Sequence, residues 1–160
     1  MAGLEAFCDW LSETPPSQLI QNVEWIVPAT QTVHILAVAT AFAAMAMFDL
    51  AVIGVAFRAS SRAVLVRRYV PWMWGALAVL LTTGVILTTG EPRRELLNWA
   101  FRLKMLLVIT AATLTGVLST RAAQDKATTL PSRIIAALAL TCWVAIIVCG
   151  RWIAYTNADE

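Results

Sequence analysis

One stretch of the sequence decides the fold, and it reads IVPATQTVHILAVATAFAAMAMFDLAVIGVAF from Ile26 to Phe57. The stretch is longer than the roughly 20 apolar residues that an α-helix needs to cross a bilayer. Its ionisable side chains are those of His34 and Asp49. Because an Arg, Lys or Asp at the centre of a membrane helix costs about 2.5–3.5 kcal/mol on insertion scales, ionisable residues in such a stretch are candidates for a functional role.

The composition of the chain is that of a membrane protein. Of its 160 residues, 59% are hydrophobic and 14% are charged, and the mean hydropathy is +0.72, whereas soluble domains carry about a quarter charged residues. The net charge of +2 gives no reason to expect a nucleic-acid partner. The cysteines Cys8, Cys142 and Cys149 show neither metal-ligand nor disulfide spacing. We therefore predict one membrane domain over residues 1–160, in contact with the lipid bilayer.

The hydropathy pattern predicts an all-α integral membrane protein, a bundle of four transmembrane helices. The predicted spans are 26–57, 70–89, 96–119 and 134–155. Residues 1–25 form a separate segment in which Leu4, Phe7, Cys8 and Leu11 recur at helical spacing. That pattern is typical of a short amphipathic helix that lies on the membrane surface.

The distribution of basic residues predicts the orientation in the membrane. With the N-terminus outside, seven Lys or Arg lie on the inner side, namely Arg58, Arg62, Arg67, Arg68, Arg121, Lys126 and Arg133. Five lie on the outer side, namely Arg93, Arg94, Arg102, Lys104 and Arg151. Since the side richer in Lys and Arg faces the cytoplasm, both termini are predicted to lie outside. Tryptophans near both ends of the spans fit the two aromatic belts of a membrane protein.

Small residues predict where the helices pack closely. Ala137, Thr141, Ala145 and Cys149 recur at every fourth position of the fourth span, as Ala112 and Gly116 do in the third and Ala37 and Ala41 in the first. Small side chains let helix backbones approach each other in lipid. We therefore expect each of these rows to face another helix.

Several motifs resemble those of a family of small bacterial four-helix inner-membrane proteins of unknown function. The motifs are Trp25-Ile26-Val27-Pro28 followed by His34-Ile35-Leu36 and Phe48-Asp49-Leu50, then Pro71-Trp72-Met73-Trp74, Phe101-Arg102-Leu103-Lys104-Met105-Leu106 and Gly150-Arg151-Trp152-Ile153-Ala154-Tyr155. The resemblance implies a multi-pass protein of the bacterial inner membrane, and the orientation predicted from the basic residues would then place both termini in the periplasm. Members of that family often carry a second histidine near the inner end of the third helix, where this chain has Leu118-Ser119-Thr120. That difference weakens a haem or metal role.

The candidate site consists of polar residues at membrane depth, namely His34, Arg102, Lys104 and Arg151. At about 1.5 Å per helical residue, His34 lies about 12 Å below the outer surface, and the three cations fall in the same half of the membrane. We interpret them as a pocket for a carboxylate, a phosphate or a quinone-like head. The alternatives are that Arg102 and Arg151 extend to the headgroups and that His34 bonds to a carbonyl or a threonine of a neighbouring helix.

Asp49 is predicted to lie apart from this group, because it is about 22 Å further along the same helix. We expect it near the inner boundary of the membrane, where a pair with Arg58 or another basic residue of the inner loop would neutralise it.

Two functions of different classes fit the sequence. The first is a scaffold, an anchor or an accessory subunit without a catalytic role, which packs against other membrane subunits or against itself. The second is an electron-transfer subunit that binds haem or a quinone through His34 and the outer cations. No nucleophile and base occur in a recognisable pattern, so the sequence favours no enzymatic activity and identifies no catalytic residue.

The predicted orientation can be tested with a reporter and a thiol reagent. A reporter enzyme fused after Glu160 should be active in the periplasm. In a variant without the native cysteines, a cysteine at Ser61 should resist an impermeant thiol reagent in intact cells. Cytoplasmic activity of the reporter would reverse the orientation and place the basic pocket at the inner face.

Overall fold

The computed structural model describes residues 2–57, 61–124, 126 and 129–155, and all regular structure in these ranges is helical. In chain order the helices are α1 (Ala2–Ser12), α2 (Pro15–Asn22), α3 (Ile26–Ile53), α4 (Arg62–Gly90), α5 (Pro92–Leu96), α6 (Trp99–Ala123) and α7 (Leu130–Tyr155). In this described part of the chain, α3, α4, α6 and α7 are each long and apolar enough to cross a membrane. The four predicted spans are thus confirmed as four long apolar helices.

The first long helix is shorter than predicted. α3 ends at Ile53 rather than at Phe57, because Gly54 adopts the left-handed conformation with φ of 96°. The amide groups of Gly54, Val55 and Ala56 all point to the carbonyl oxygen of Leu50, at 3.0–3.2 Å. A glycine in this conformation is a common helix stop, because it lacks the Cβ that would clash.

The other long helices begin at different residues than predicted. α4 begins at Arg62, two turns before the predicted start, and Pro71 lies inside it. α6 begins at Trp99 because Asn98 caps it, with its side chain accepting a hydrogen bond from the amide of Ala100 at 2.9 Å. α7 begins at Leu130 rather than at residue 134.

The four long helices form a bundle in which α3 is the most buried. It packs against α4 and α7, and α6 packs against α7 and less extensively against α4. α3 and α4 run antiparallel, as the contact between His34 early in α3 and Thr83 late in α4 shows. The fully buried side chains at the centre include Met45 and Phe48 of α3, Met73 of α4 and Leu118 of α6.

The predicted rows of small residues are only partly correct. Ala37 and Ala41 of α3 are buried, as expected, but Ala137 and Thr141 of α7 are exposed. A four-residue repeat turns by about 40° at each step of a helix with 3.6 residues per turn, so the row drifts away from a fixed contact face. The buried face of α7 instead carries Ala136, Ala139, Trp143, Ile146, Cys149 and Ile153.

The N-terminal segment forms two helices that dock on one end of the bundle. The thiol of Cys8 in α1 lies 3.6 Å from the carbonyl oxygen of Pro92, and Arg93 binds the carboxylate of Asp9 at 2.5 Å. That guanidinium donates a hydrogen bond to Asp9 and lowers the pKa of the carboxyl. We call α1, α2 and α5 together the clasp, and the end of the bundle that they cover the clasp end.

The second clasp helix is held by two polar side chains. Ser17 of α2 donates to the carbonyl oxygen of Thr89 at 2.7 Å, and Gln21 donates to that of Gly90 at 3.0 Å. These carbonyls belong to the last turn of α4, where helices leave acceptors without a partner. The sequence predicted a helix in α1 but not α2, and whether α1 lies on a membrane surface stays a prediction.

Gly90 is required by the close approach of α2. A Cβ at this position would lie 2.7 Å from Cγ2 of Ile20, which is closer than carbon atoms pack. A Cβ at Gly75, in the same helix, would meet no atom within 4 Å. Among these two glycines of α4, only Gly90 is fixed by packing.

Replacing Gly90 should therefore loosen the clasp. Gly90→Val should lower the free energy of unfolding by about 1–3 kcal/mol, as overpacking typically does, while Gly75→Val serves as the control for inserting valine into α4. Ile20→Ala should recover part of the loss in the double variant. Thermal unfolding in mild detergent measures this, and equal midpoints for the two valine variants would contradict the close approach.

Candidate functional site

The candidate site begins with a hydrogen bond between α3 and α4. Nδ1 of His34 lies 2.7 Å from Oγ1 of Thr83. The same hydroxyl oxygen lies 2.7 Å from the carbonyl oxygen of Val79, one turn earlier in α4. A threonine hydroxyl has one proton to donate and lone pairs with which to accept.

One assignment of protons satisfies both contacts. Thr83 donates its proton to the carbonyl of Val79, which can only accept, and His34 donates Nδ1–H to the threonine oxygen. In a neutral imidazole with the proton on Nδ1, Nε2 carries a lone pair and no hydrogen. The bond to Thr83 therefore fixes the tautomer of His34 and leaves Nε2 as an acceptor.

The surroundings of the ring leave Nε2 open to a ligand. His34 is half-buried, and Nε2 has no hydrogen-bond partner among the described residues. Gly84 lies beside the ring. A Cβ added to this glycine would lie 4.0 Å from Cε1 of His34.

Lys104 of α6 is the second member of the site. It is half-buried, and its charge interacts with His34 and with Glu95 of the clasp. In the described part of the chain its ammonium group makes no hydrogen bond or ion pair. Burial raises the pKa of Glu95, and the positive charges of Lys104 and Arg94 act against that rise. The structure thus brings an imidazole, an ammonium and a carboxyl group together near the clasp end.

Arg102 binds outside this group. Arg102 is exposed and turns towards the clasp, where its guanidinium lies 3.4 Å from the carbonyl oxygens of Leu96 and Leu97. It therefore caps the end of α5. Arg151 is exposed near the end of α7.

Asp49 lies in the other half of α3 and has no polar partner among the described residues. Its side chain is fully buried, and neither carboxyl oxygen accepts a hydrogen bond. The predicted partner Arg58 lies outside the described residues. No ion pair with another basic side chain is present within them, so the predicted pairing has no support there.

The sequence singled out His34 and Lys104 as candidates but did not identify Thr83 as the partner of the histidine. A threonine of a neighbouring helix was one of the alternatives for His34, and the structure contains that bond. Among the described residues, no group of three or more His, Cys, Asp or Glu side chains could hold a metal ion.

No known protein family, curated protein or solved structure matches the chain. The inference about function therefore rests on the geometry of this site.

Removing the threonine hydroxyl should weaken the contact between α3 and α4. Thr83→Val should lower the free energy of unfolding by about 0.5–1.5 kcal/mol, the usual contribution of one hydrogen bond. The control is Thr82→Val, because Thr82 is exposed and also bonds to a carbonyl of its own helix, that of Ala78. Unfolding in mixed detergent micelles measures both, and equal losses would show that the bond to His34 contributes nothing.

Proposed function

We propose that the chain is a multi-pass protein of a bacterial inner membrane, with the clasp end at the periplasmic face. The long helices expose large apolar side chains along their outer surfaces, as lipid contact requires, for example Leu81, Val85, Leu106 and Ile109. The exposed tryptophans at the clasp end are Trp10, Trp25, Trp99 and Trp152. Those towards the other end are Trp72 and Trp74. Exposed tryptophans near both ends agree with the two interfacial belts of a membrane protein.

We further propose that the protein is an accessory subunit that binds a lipid-soluble ligand of the quinone class. The observation that carries this proposal is the bond to Thr83, which leaves Nε2 of His34 as a free acceptor within the electrostatic range of the Lys104 ammonium group. A quinol hydroxyl would donate to Nε2, and the ammonium group would donate to an oxygen of the same head. The half-buried imidazole ring of His34 lies in an apolar helix surface, so a ligand that reaches it has to be soluble in lipid.

A quinone fits the site better than a haem does. His34 is the one histidine of the chain, so a haem iron would need a second ligand such as Met45, Met105 or a partner chain. Met45 is fully buried, and its sulfur accepts a bond from the hydroxyl of Thr115 at 3.6 Å. It also lies about 16 Å further along α3 than His34. Met45 is therefore unsuited to the same iron.

A purely architectural role is the second candidate, as a scaffold or anchor for other membrane subunits. It is favoured by the same bond, which ties α3 to α4, and by the capping of α5 by Arg102. In this case the polar residues serve to hold the bundle and its clasp in place.

Binding of a short-chain benzoquinol separates the two candidates. We expect the wild-type protein in mild detergent to bind it, and His34→Ala to lose detectable binding. Lys104→Met should weaken binding roughly tenfold to a hundredfold, since a hydrogen bond from a charged group contributes about 1.5–3 kcal/mol. Arg102→Met is the matched control and should bind as the wild type does, because that arginine faces the clasp.

Two results would contradict the quinone proposal. One is a wild-type protein that neither binds the benzoquinol nor co-purifies with a quinone from native membranes. The other is unchanged binding in His34→Ala. A loss of stability in His34→Ala, with no ligand bound to the wild type, would instead support the architectural role.

A further inference from the structure

Asp49 combines complete burial with the lack of any polar partner in the described part of the chain. Its exposed fraction is 0%, and both carboxyl oxygens are without a hydrogen bond. The nearest turns of its own helix carry Met45, Phe48 and Val52, which are also fully or almost fully buried. An ionised carboxylate in such surroundings is strongly disfavoured unless a cation neutralises it.

The charged residues of the neighbouring helices do not supply that cation. At this end of the bundle the ionisable side chains with described positions are Arg67, Arg68 and Tyr69 on α4, Arg121 on α6, Lys126 between α6 and α7, and Arg133 on α7. None of them makes a hydrogen bond or ion pair with Asp49. The guanidinium of Arg133 lies beside Gly54, and that of Arg68 lies over the ring of Tyr69. The side chains of Arg58 and Arg62 lie outside the described residues.

The neighbours of Asp49 also argue against a metal cation. Calcium binds six to eight oxygen ligands, and magnesium needs near-octahedral coordination. Here the adjacent turns offer a thioether, an aromatic ring and an aliphatic side chain. The hydroxyl of Thr115, buried on α6, is directed to the sulfur of Met45. A proton is the cation that needs no ligand beyond the carboxyl group itself.

We propose that Asp49 is a proton-binding site inside the bundle, a carboxylic acid that takes up and releases one proton. Ionisable residues within membrane spans commonly mark paths of protons or ions. This site lies about 22 Å along α3 from His34 and does not depend on a ligand bound there. It adds a proton-exchange function to the half of the protein opposite the clasp.

Modification with dicyclohexylcarbodiimide, an apolar carbodiimide, tests the proposal directly. A protonated carboxyl adds across the C=N bond of the reagent, its proton moves to nitrogen, and the adduct rearranges to a stable acylurea with no leaving group. We expect one adduct on the peptide that contains Asp49 and its complete loss in Asp49→Asn. A water-soluble carbodiimide should modify exposed carboxyls and leave Asp49 unlabelled. Asp9→Asn is the matched control and should retain the label on Asp49.

The way in which the labelling rate of Asp49 depends on pH and on sodium distinguishes a bound proton from other cations. Above the pH at which half of the Asp49 carboxyl groups are ionised, the rate at which the carbodiimide labels Asp49 should fall about tenfold per pH unit. Added sodium chloride should give no protection, and protection by sodium would assign the site to a metal cation and overturn the proposal.

Stability supplies the second readout. Asp49→Asn should keep the thermal midpoint of the wild type, because a neutral amide replaces a neutral acid. A lowered midpoint together with unlabelled Asp49 would identify an ion-paired carboxylate, which also overturns the proposal.

Discussion

A polar atom inside an apolar helix bundle must find its partner within the protein, and the rest of the structure depends on this constraint. Most threonines of the long helices meet it by donating to a carbonyl one turn earlier, as Thr40, Thr110 and Thr141 do. Thr83 does the same and still has a lone pair for His34. The constraint thus fixes the protonation of one imidazole. Its exceptions among the described residues of the long helices are the carboxyl group of Asp49 and the indole nitrogen of Trp143.

The sequence was sufficient to predict the four long helices but not their ends. Hydropathy registers the apolar part of a helix, so it missed the first two turns of α4, where Arg67 and Arg68 lie. It also missed α2 and α5, which are short and begin at Pro15 and Pro92. Proline suits the first turn of a helix because it has no amide to leave without a partner. Such helices form through docking on the bundle and leave little hydropathic signal.

The site was predictable in its residue types and less so in its contacts. His34 and Lys104 stood out because each is ionisable within an apolar stretch. The direction of Arg102, towards α5, depends on a clasp that the sequence did not predict. The partner of His34 depends on how α3 and α4 rotate about their axes. A rotation of one residue, about 100°, decides whether Thr82 or Thr83 meets the imidazole.

Thr83 holds His34 with a protonated Nδ1 and an open Nε2. Since the chain has a single histidine, selective ¹⁵N-histidine labelling of tag-free protein in lipid vesicles gives one pair of ring nitrogens. We expect a protonated Nδ1 and an unprotonated Nε2 at neutral pH, and an Nε2 resonance that shifts when a short-chain benzoquinol is added. A proton found on Nε2 instead would contradict the account.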